Sequence, residues 1–273
     1  MGEPRIAVIG GGNMARAIIE GCVASGAFEV DRWLVSEPDA ARRGIFEAMG
    51  VQAVADTPAL AAALDPSDAL LLAVKPQMLE RVAEQARAMP LEDRLVMSIL
   101  AGATSERIRA ALGGGCRLVR IMPNTPAQIG KGASAIAPGA GATEEDTALA
   151  ERIFGAVGAV WRTSESMMDA FTALAGSGPA YVFALAEAMQ CAGEQMGFSS
   201  EEADAMVRAT LAGSAALLER REMDAATLRR AVTSPGGTTA AAIQVLEDAG
   251  FGAMMVRAIE AARERGAELA GEG

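Results

Sequence analysis

The glycine-rich turn at residues 10–15 constrains the fold more than any other feature of this sequence. It follows the apolar run Ile6 to Ile9, reads Gly-Gly-Gly-Asn-Met-Ala, and leads directly into a helical pattern. The segment fits G-x-G-x-x-A, in which the first glycine permits a tight turn and the second lets the backbone approach a diphosphate. We therefore expect a strand–turn–helix unit whose helix N-terminus holds a dinucleotide.

Short apolar runs predict seven strands, which alternate with helical patterns as in a parallel sheet covered by helices. The predicted strands are 5–9, 32–36, 69–74, 95–99, 118–121, 133–137 and 159–161. After about Ser164 the chain is rich in Ala, Leu, Met and Glu at helical spacing. We predict an α/β Rossmann domain with a doubly wound, mostly parallel sheet over 1–163, followed by an all-α dimerisation domain over 164–273. Thr143 with Asp146, and Ser199 with Glu202, predict two capped helix starts.

Composition excludes several functional classes. Lys and Arg number 24 against 35 Asp and Glu, so the net charge of −11 argues against nucleic-acid and anionic-membrane partners. The chain has no histidine, which excludes His-based triads and His-ligated zinc. Cys22, Cys116 and Cys191 are widely separated, so neither a disulfide framework nor a metal site is expected. No segment reads as a signal peptide or a simple membrane span, and we expect a cytoplasmic protein.

The end of the second predicted strand bears on the choice between NADP(H) and NAD(H). A carboxylate at Glu37 could accept hydrogen bonds from the adenosine ribose hydroxyls and repel a 2′-phosphate, which favours NAD(H). Ser36, with Arg42 and Arg43 nearby, could instead serve NADP(H). Glu37 could also point to solvent. These alternatives stay open at the level of sequence.

Other cofactor contacts are expected where predicted strands end, because a doubly wound sheet binds its ligand at that edge. Small or polar residues follow the third and fourth strands, and residues 122–126 (Met-Pro-Asn-Thr-Pro) form a stiff loop after the fifth. The residues predicted to bind the dinucleotide are Ile9, Gly10, Gly11, Gly12, Asn13, Met14, Ser36, Glu37, Ala73, Val74, Lys75, Pro76 and Ala101.

Two segments of the helical half differ from its alanine-rich background. Residues 176–181 (Gly-Ser-Gly-Pro-Ala-Tyr) and 234–239 (Ser-Pro-Gly-Gly-Thr-Thr) each place glycine, serine and proline before a helical pattern. Such turns expose backbone N–H donors that can bind a carboxylate without an arginine. Each could also be a plain helix-start loop, although two such turns in one helical domain favour the binding role.

Taken together and in this order, these motifs resemble the pyrroline-5-carboxylate reductase family along almost the whole chain. The resemblance includes Ala-Val-Lys-Pro at 73–76 and Met-Pro-Asn-Thr-Pro at 122–126, and it is most specific at 233–239. It implies an NAD(P)H-dependent oxidoreductase of proline biosynthesis, which transfers hydride to the imine carbon of 1-pyrroline-5-carboxylate and gives L-proline. It also implies a homodimer, in some members assembled into a decamer, with active sites shared between subunits.

The resemblance assigns roles to individual residues as well. The loop containing Ser234 and Gly236 would hold the substrate carboxylate, chiefly through the N–H groups of Gly237, Thr238 and Thr239. The Thr239 hydroxyl would bond the ring nitrogen as the catalytic group. Thr57 would lie near the adenosine ribose. This chemistry is consistent with the lack of histidine, since a protonated imine accepts hydride without a strong general acid.

Three other functions remain as alternatives. A hydroxyacid dehydrogenase of this architecture would carry a lysine early in its helical domain, and no lysine occurs from 165 to 273. A six-membered cyclic imine differs from the five-membered ring by one methylene, a difference worth only about 1–3 kcal/mol. A non-catalytic dinucleotide-binding protein would keep the first turn but would have no use for the 234–239 turn.

Overall fold

The computed structural model describes residues 4–87, 89–220 and 222–271. Within them, eight strands form one sheet in the order β3-β2-β1-β4-β5-β6-β7-β8. The strands are β1 (Ile6–Ile9), β2 (Trp33–Ser36), β3 (Gln52–Val54), β4 (Ala69–Leu72), β5 (Leu95–Ser98), β6 (Arg117–Met122), β7 (Gly132–Pro138) and β8 (Gly158–Arg162).

Helices connect the strands and continue after the last of them. They are α1 (Asn13–Ala24), α2 (Ala40–Ala48), α3 (Thr57–Ala62), α4 (Leu79–Ala86), α5 (Ser105–Ala111), α6 (Glu144–Gly155), α7 (Met168–Phe171), α8 (Gly178–Gln195), α9 (Ser200–Glu219), α10 (Ala225–Ala231), α11 (Thr238–Asp248) and α12 (Phe251–Gly271). A π-helical turn, Thr172–Gly176, separates α7 from α8. Short 3-10 helices cover Val30–Arg32, Pro76–Met78, Thr125–Ile129 and Glu165–Met167.

The sheet is parallel except where β7 runs antiparallel to β6, which confirms the predicted mostly parallel, doubly wound fold. All seven predicted strands are present, with ends that differ by one or two residues. Strand β3 was not predicted. It has three residues and pairs with β2 at the edge of the sheet. Because Gln52 is polar and exposed there, the segment lacks the continuous apolar run by which the other strands were predicted.

The central strands are buried on both faces, as continuous apolar runs predict for a parallel sheet. Every residue of β1 is buried, and alternate side chains enter two separate clusters: Ile6 and Val8 on one face, Ala7 and Ile9 on the other. Burying each large aliphatic side chain contributes about 1.5–3 kcal/mol. This two-sided core fixes the strand ends that carry the predicted cofactor residues.

The two predicted capped helix starts are confirmed. The Thr143 hydroxyl accepts the Asp146 N–H at 3.2 Å, and the Asp146 carboxylate accepts the Thr143 N–H at 2.9 Å. Ser199 and Glu202 form the same reciprocal pair at the start of α9. These caps satisfy N–H groups that a helix cannot bond internally.

The chain divides into two compact units, one of Met1–Ser177 with Ala262–Gly273, the other of Gly178–Ala261. The described elements after β8 are helical, as predicted. Helices α8, α10, α11 and α12 bury none of their described residues in the single chain, and Phe183 and Val245 are 60% and 67% exposed. Nowhere in the described part of the chain is a helix both long and apolar enough to span a bilayer.

Candidate active site

The first turn requires glycine at position 10. The backbone of Gly10 has φ +100°, and a Cβ added there would lie 2.7 Å from the Ala73 carbonyl oxygen. Its N–H donates to the Ser36 carbonyl at 3.0 Å, which ties the turn to the end of β2. The turn is therefore held between two strand ends, where a parallel sheet places its ligand.

Gly12 serves a different purpose in the same turn. It is the N-cap of α1 with extended backbone (φ −74°, ψ 179°), and no described side chain caps the helix. A Cβ added at Gly12 would meet no atom of the described residues within 4 Å, its immediate chain neighbours aside. The start of α1 thus presents its backbone donors to open space, the arrangement that binds a diphosphate.

A cavity of about 660 Å³ runs along this edge of the sheet, and we call it the cofactor groove. Nine of the predicted cofactor residues line it: Ile9, Gly10, Gly12, Ser36, Glu37, Thr57, Ala73, Val74 and Lys75. Its size and its glycine-lined wall fit a dinucleotide, since a side chain at Gly12 would fill the space beside the helix start. The residues brought together come from four separate strand ends or helix starts.

The other predicted cofactor residues lie elsewhere. Gly11 is buried, and a Cβ there would lie 2.7 Å from the Phe46 ring. Met14 packs against the buried core, and Asn13 lines a separate surface depression with Arg16. Pro76 and Ala101 line a second cavity of about 340 Å³, together with Gln77, Gly102, Arg107, Asp169, Thr172, Gly266 and Leu269.

Glu37 neither points to solvent nor leaves its oxygens free, so the solvent-facing alternative is wrong. The residue is only 4% exposed. One carboxylate oxygen accepts the Gly11 N–H at 2.9 Å, and the other accepts the Asp39 N–H at 2.8 Å. An Arg42 guanidinium nitrogen lies 3.4 Å from the latter oxygen.

Several groove residues escaped the sequence analysis. Met78, Arg81, Val82 and Gln85 line the groove from one side, and Asp56 lines it beside Thr57. The four positions around α4 follow the spacing i, i+3, i+4, i+7, which puts them on one helix face. That periodicity was a usable signal, but only the fold shows that this face borders the groove.

In place of the predicted loop at 176–181, the structure has the end of the π-helical turn at Gly176, a bend at Ser177 and the start of α8 at Gly178. The Ser177 N–H donates to the Thr172 carbonyl at 2.7 Å, so this donor is already used. The Asn124 side chain donates to the Ala175 carbonyl at 2.9 Å and accepts the Ala133 N–H at 2.8 Å. Asn124, which is 8% exposed, therefore fastens the π-helical turn to the start of β7. Such turns are frequent at functional sites.

Hydrogen bonds and an ion pair join the 3-10 helix Glu165–Met167 to α5 and β6. The Glu165 carboxylate accepts hydrogen bonds from the N–H and hydroxyl of Ser105 and pairs with Arg120 on β6. Burial acts to raise the pKa of Glu165, but these donors outweigh it and the pKa is lowered. Glu165 is therefore an anionic tether rather than a proton donor at neutral pH.

In the helical unit, residues 234–237 form the turn that leads into α11, and Thr238 and Thr239 are the first two residues of that helix. Gly236 has φ +71°, and the Gly237 N–H donates to the Ser234 carbonyl at 3.0 Å. Gly237 is the N-cap of α11, and among the described residues no side chain caps this helix. The N–H groups of Thr238 and Thr239 thus stand at an uncapped helix start, whereas that of Gly237 is used within the turn.

Two known proteins are similar to this chain over nearly its full length. A pyrroline-5-carboxylate reductase of Pseudomonas aeruginosa is 40% identical over 99% of this chain and 98% of its own. One from Arabidopsis thaliana is 35% identical over 97% of this chain and 95% of its own. The chain belongs to the pyrroline-5-carboxylate reductase family. The family resemblance inferred from the motifs is thereby confirmed.

Family models and solved structures agree with this membership. The model described as pyrroline-5-carboxylate reductase dimerisation matches residues 165–269, and one described as NADP oxidoreductase coenzyme F420-dependent matches 5–102. The structure of a family member from Coxiella burnetii has a TM-score of 0.89 at 37% identity, covering 98% of this chain and 99% of its own. A Plasmodium falciparum pyrroline carboxylate reductase, solved with NADP bound, has a TM-score of 0.85 at 26% identity and covers 99% of both chains.

Proposed function

We propose that the chain reduces 1-pyrroline-5-carboxylate to L-proline with hydride from NADPH or NADH, the final step of proline biosynthesis. The observation that carries this proposal is that identity to reductases of this name extends over 97–99% of the chain, and so includes both the groove and the 234–239 turn. The overall reaction consumes one proton and the reduced nicotinamide, which supplies the hydride to the imine carbon.

The cofactor groove supports the nucleotide part of this proposal. The N–H groups at the start of α1 would hold the diphosphate, with Gly12 allowing its approach. Ser36, Glu37 and Thr57 border the end of the groove where a Rossmann fold places adenosine. Ala101 and Pro76, in the second cavity, would contact the nicotinamide half.

The turn before α11 supports the substrate part. The uncapped N–H groups of Thr238 and Thr239 would bind the carboxylate, assisted by the helix dipole. By the family resemblance, the Gly237 N–H would also bind the substrate carboxylate. In the single chain this group donates to Ser234, so it would have to exchange or share that bond. The Thr239 hydroxyl would bond the ring nitrogen and relay a proton from water, so we assign it the catalytic role.

We also propose a homodimer that completes the site from two subunits. The apolar side chains left exposed on α8, α11 and α12 support it, because a single chain leaves them without a core. We further propose that such dimers can assemble into a decamer, which light scattering of the pure protein would distinguish from a dimer by its mass. A cytoplasmic location is supported by three free thiols, which suit a reducing compartment.

The Thr239→Ala variant tests the catalytic assignment against a matched neighbour. We expect it to lower kcat at least tenfold while the Kd for NADPH stays unchanged, because general acid–base assistance is worth about 10²–10⁴-fold. The Thr238→Ala variant keeps the backbone N–H and should retain kcat and KM within about threefold, since its contribution is a main-chain donor. An unchanged kcat in Thr239→Ala would remove the catalytic role of this hydroxyl.

The assay follows the oxidation of NADPH or NADH by its absorbance, with the five-membered imine and the six-membered ring run in parallel. Rapid oxidation with the five-membered ring is expected. Nucleotide binding without oxidation of either imine would instead favour a non-catalytic dinucleotide-binding protein.

A further inference from the structure

The Glu37 carboxylate occupies the position where many Rossmann folds place the acid that binds the ribose hydroxyls. Its surroundings in this chain differ from those of a ribose-binding group. The side chain is 6% exposed, and each oxygen already accepts a backbone N–H, from Gly11 and from Asp39. Little of the carboxylate is left facing the groove.

The same contacts show what Glu37 does for the turn. A Cβ at Gly11 would lie 2.9 Å from the Glu37 Cβ, so the stem of Glu37 packs directly on the glycine-rich turn. The Asp39 N–H that binds Glu37 belongs to the N-cap of α2, whose own side chain accepts the Arg42 N–H at 2.9 Å. Glu37 therefore couples the glycine-rich turn, the end of β2 and the start of α2.

The side chain of Arg42, unlike that of Glu37, is largely exposed at the groove. It lines the groove and is 56% exposed, with the guanidinium held 3.4 Å from Glu37. Lys75 and Arg81 also line the groove, whereas its acidic residues are Glu37, already engaged, and Asp56, which caps α3 by accepting the Ala59 N–H. The groove thus presents three cationic side chains, and a guanidinium fork matches phosphate geometry.

We propose that Glu37 is a positioning residue that fixes the glycine-rich turn, and that Arg42 binds a 2′-phosphate on the adenosine ribose, so that the groove prefers NADPH to NADH. This inference rests on the proposed function only in taking the ligand to be a reduced nicotinamide dinucleotide. Glu37 holds Arg42 at the groove wall, and its own charge is compensated by Arg42 and two N–H donors.

The first test uses the unaltered protein without imine. Equilibrium binding is measured for NADPH, NADH and an NADH analogue that lacks the adenosine 2′-hydroxyl. We expect NADPH to bind at least tenfold tighter than NADH, as one charge-assisted hydrogen bond provides. NADH and the analogue should bind equally within about twofold, because both Glu37 oxygens are engaged by the Gly11 and Asp39 N–H groups.

Variants then separate the two residues. Arg42→Ala should bring the ratio of the NADPH and NADH affinities close to one. Arg87→Ala removes an exposed arginine that lies at the end of α4 outside the groove, and it should leave that ratio unchanged. Glu37→Gln should weaken NADH and the analogue by the same factor, since the turn rather than a hydroxyl contact is perturbed.

Three results would overturn the proposal: tighter binding of NADH than of NADPH, an analogue at least tenfold weaker than NADH, or an NADPH preference that survives Arg42→Ala. If Glu37→Gln fails to fold, the three nucleotides on the unaltered protein still decide whether the carboxylate reads the ribose. These binding tests contain no imine, so they do not depend on the reaction. If the nucleotides bind as expected but the separate absorbance assay shows no imine reduction, the proposed function is refuted and the present proposal stands.

Discussion

Replacing Gly12 with alanine separates the role of the first turn in ligand binding from its role in folding. The backbone of Gly12 has φ −74°, which alanine adopts freely. In the described part of the chain, the added methyl would meet no atom within 4 Å beyond its immediate chain neighbours. Alanine is a poorer N-cap than glycine, but it also restricts the unfolded chain, and these effects largely offset. We expect the free energy of unfolding to change by less than about 1 kcal/mol.

The expected loss in binding is larger. The methyl would occupy the space beside the start of α1 and push a diphosphate away from the helix N-terminus. Losing one or two charge-assisted hydrogen bonds, each worth about 1.5–3 kcal/mol, amounts to about 3 kcal/mol. This corresponds to a roughly 100-fold increase in the Kd for NADPH.

Isothermal titration of NADPH and thermal unfolding of the free protein measure the two effects separately. Gly155→Ala is the matched control, because it also adds a methyl in open space but at the exposed end of α6. It should leave the Kd unchanged. Gly10→Ala should instead destabilise the fold by more than about 2 kcal/mol, since its φ is +100° and its Cβ would collide with the Ala73 carbonyl.

The reasoning would be refuted if Gly12→Ala bound NADPH as tightly as the unaltered protein. That result would mean that the diphosphate does not contact this turn. A large loss of stability in the same variant would show instead that the local environment of Gly12 is tighter than its geometry indicates.

Three further predictions concern stability and assembly. Asp146→Asn should lower stability by about 2–3 kcal/mol at pH 7, because Arg117 and the Thr143 N–H lose their carboxylate partner. Burial acts to raise the pKa of Asp146, but Arg117 and Thr143 outweigh it and the pKa is lowered. The carboxylate therefore contributes fully to stability above about pH 4, and this contribution is lost as the pH falls below that value. The free energy of unfolding of Asp146→Asn, measured in urea, should depend less on pH in that acidic range. Asn124→Ala should cost about 2 kcal/mol in urea unfolding by leaving the Ala175 carbonyl and the Ala133 N–H unpaired. Asn124→Asp should cost at least as much at pH 7, because it sets a buried carboxylate oxygen against the Ala175 carbonyl oxygen. Phe183→Glu should halve the dimer mass in light scattering if α8 lies in the interface, whereas an unchanged mass would place α8 outside it.

The central strands, two helix starts and the first turn could be predicted from the sequence, because each depends on residues close together in the chain. The central strands were recognisable because a parallel sheet buries them on both faces, so each is a continuous apolar run. The helix starts at Thr143 and Ser199 were recognisable because a cap depends on residues three positions apart. Gly10 was identifiable because only glycine readily adopts the φ that the turn needs.

Contacts between residues distant in sequence decided the rest. Strand β3 exists because β2 supplies a partner at the edge of the sheet, and the antiparallel course of β7 follows from its pairing with β6. The orientation of Glu37 depends on the N–H group of Gly11, which lies 26 positions earlier in the chain and which the fold brings to it. Likewise, Arg81 and Gln85 are groove residues only because the fold places α4 along the same cavity that the glycine-rich turn lines. The sequence determined the turn and the strands through local chemistry, whereas packing decided which polar groups face the groove.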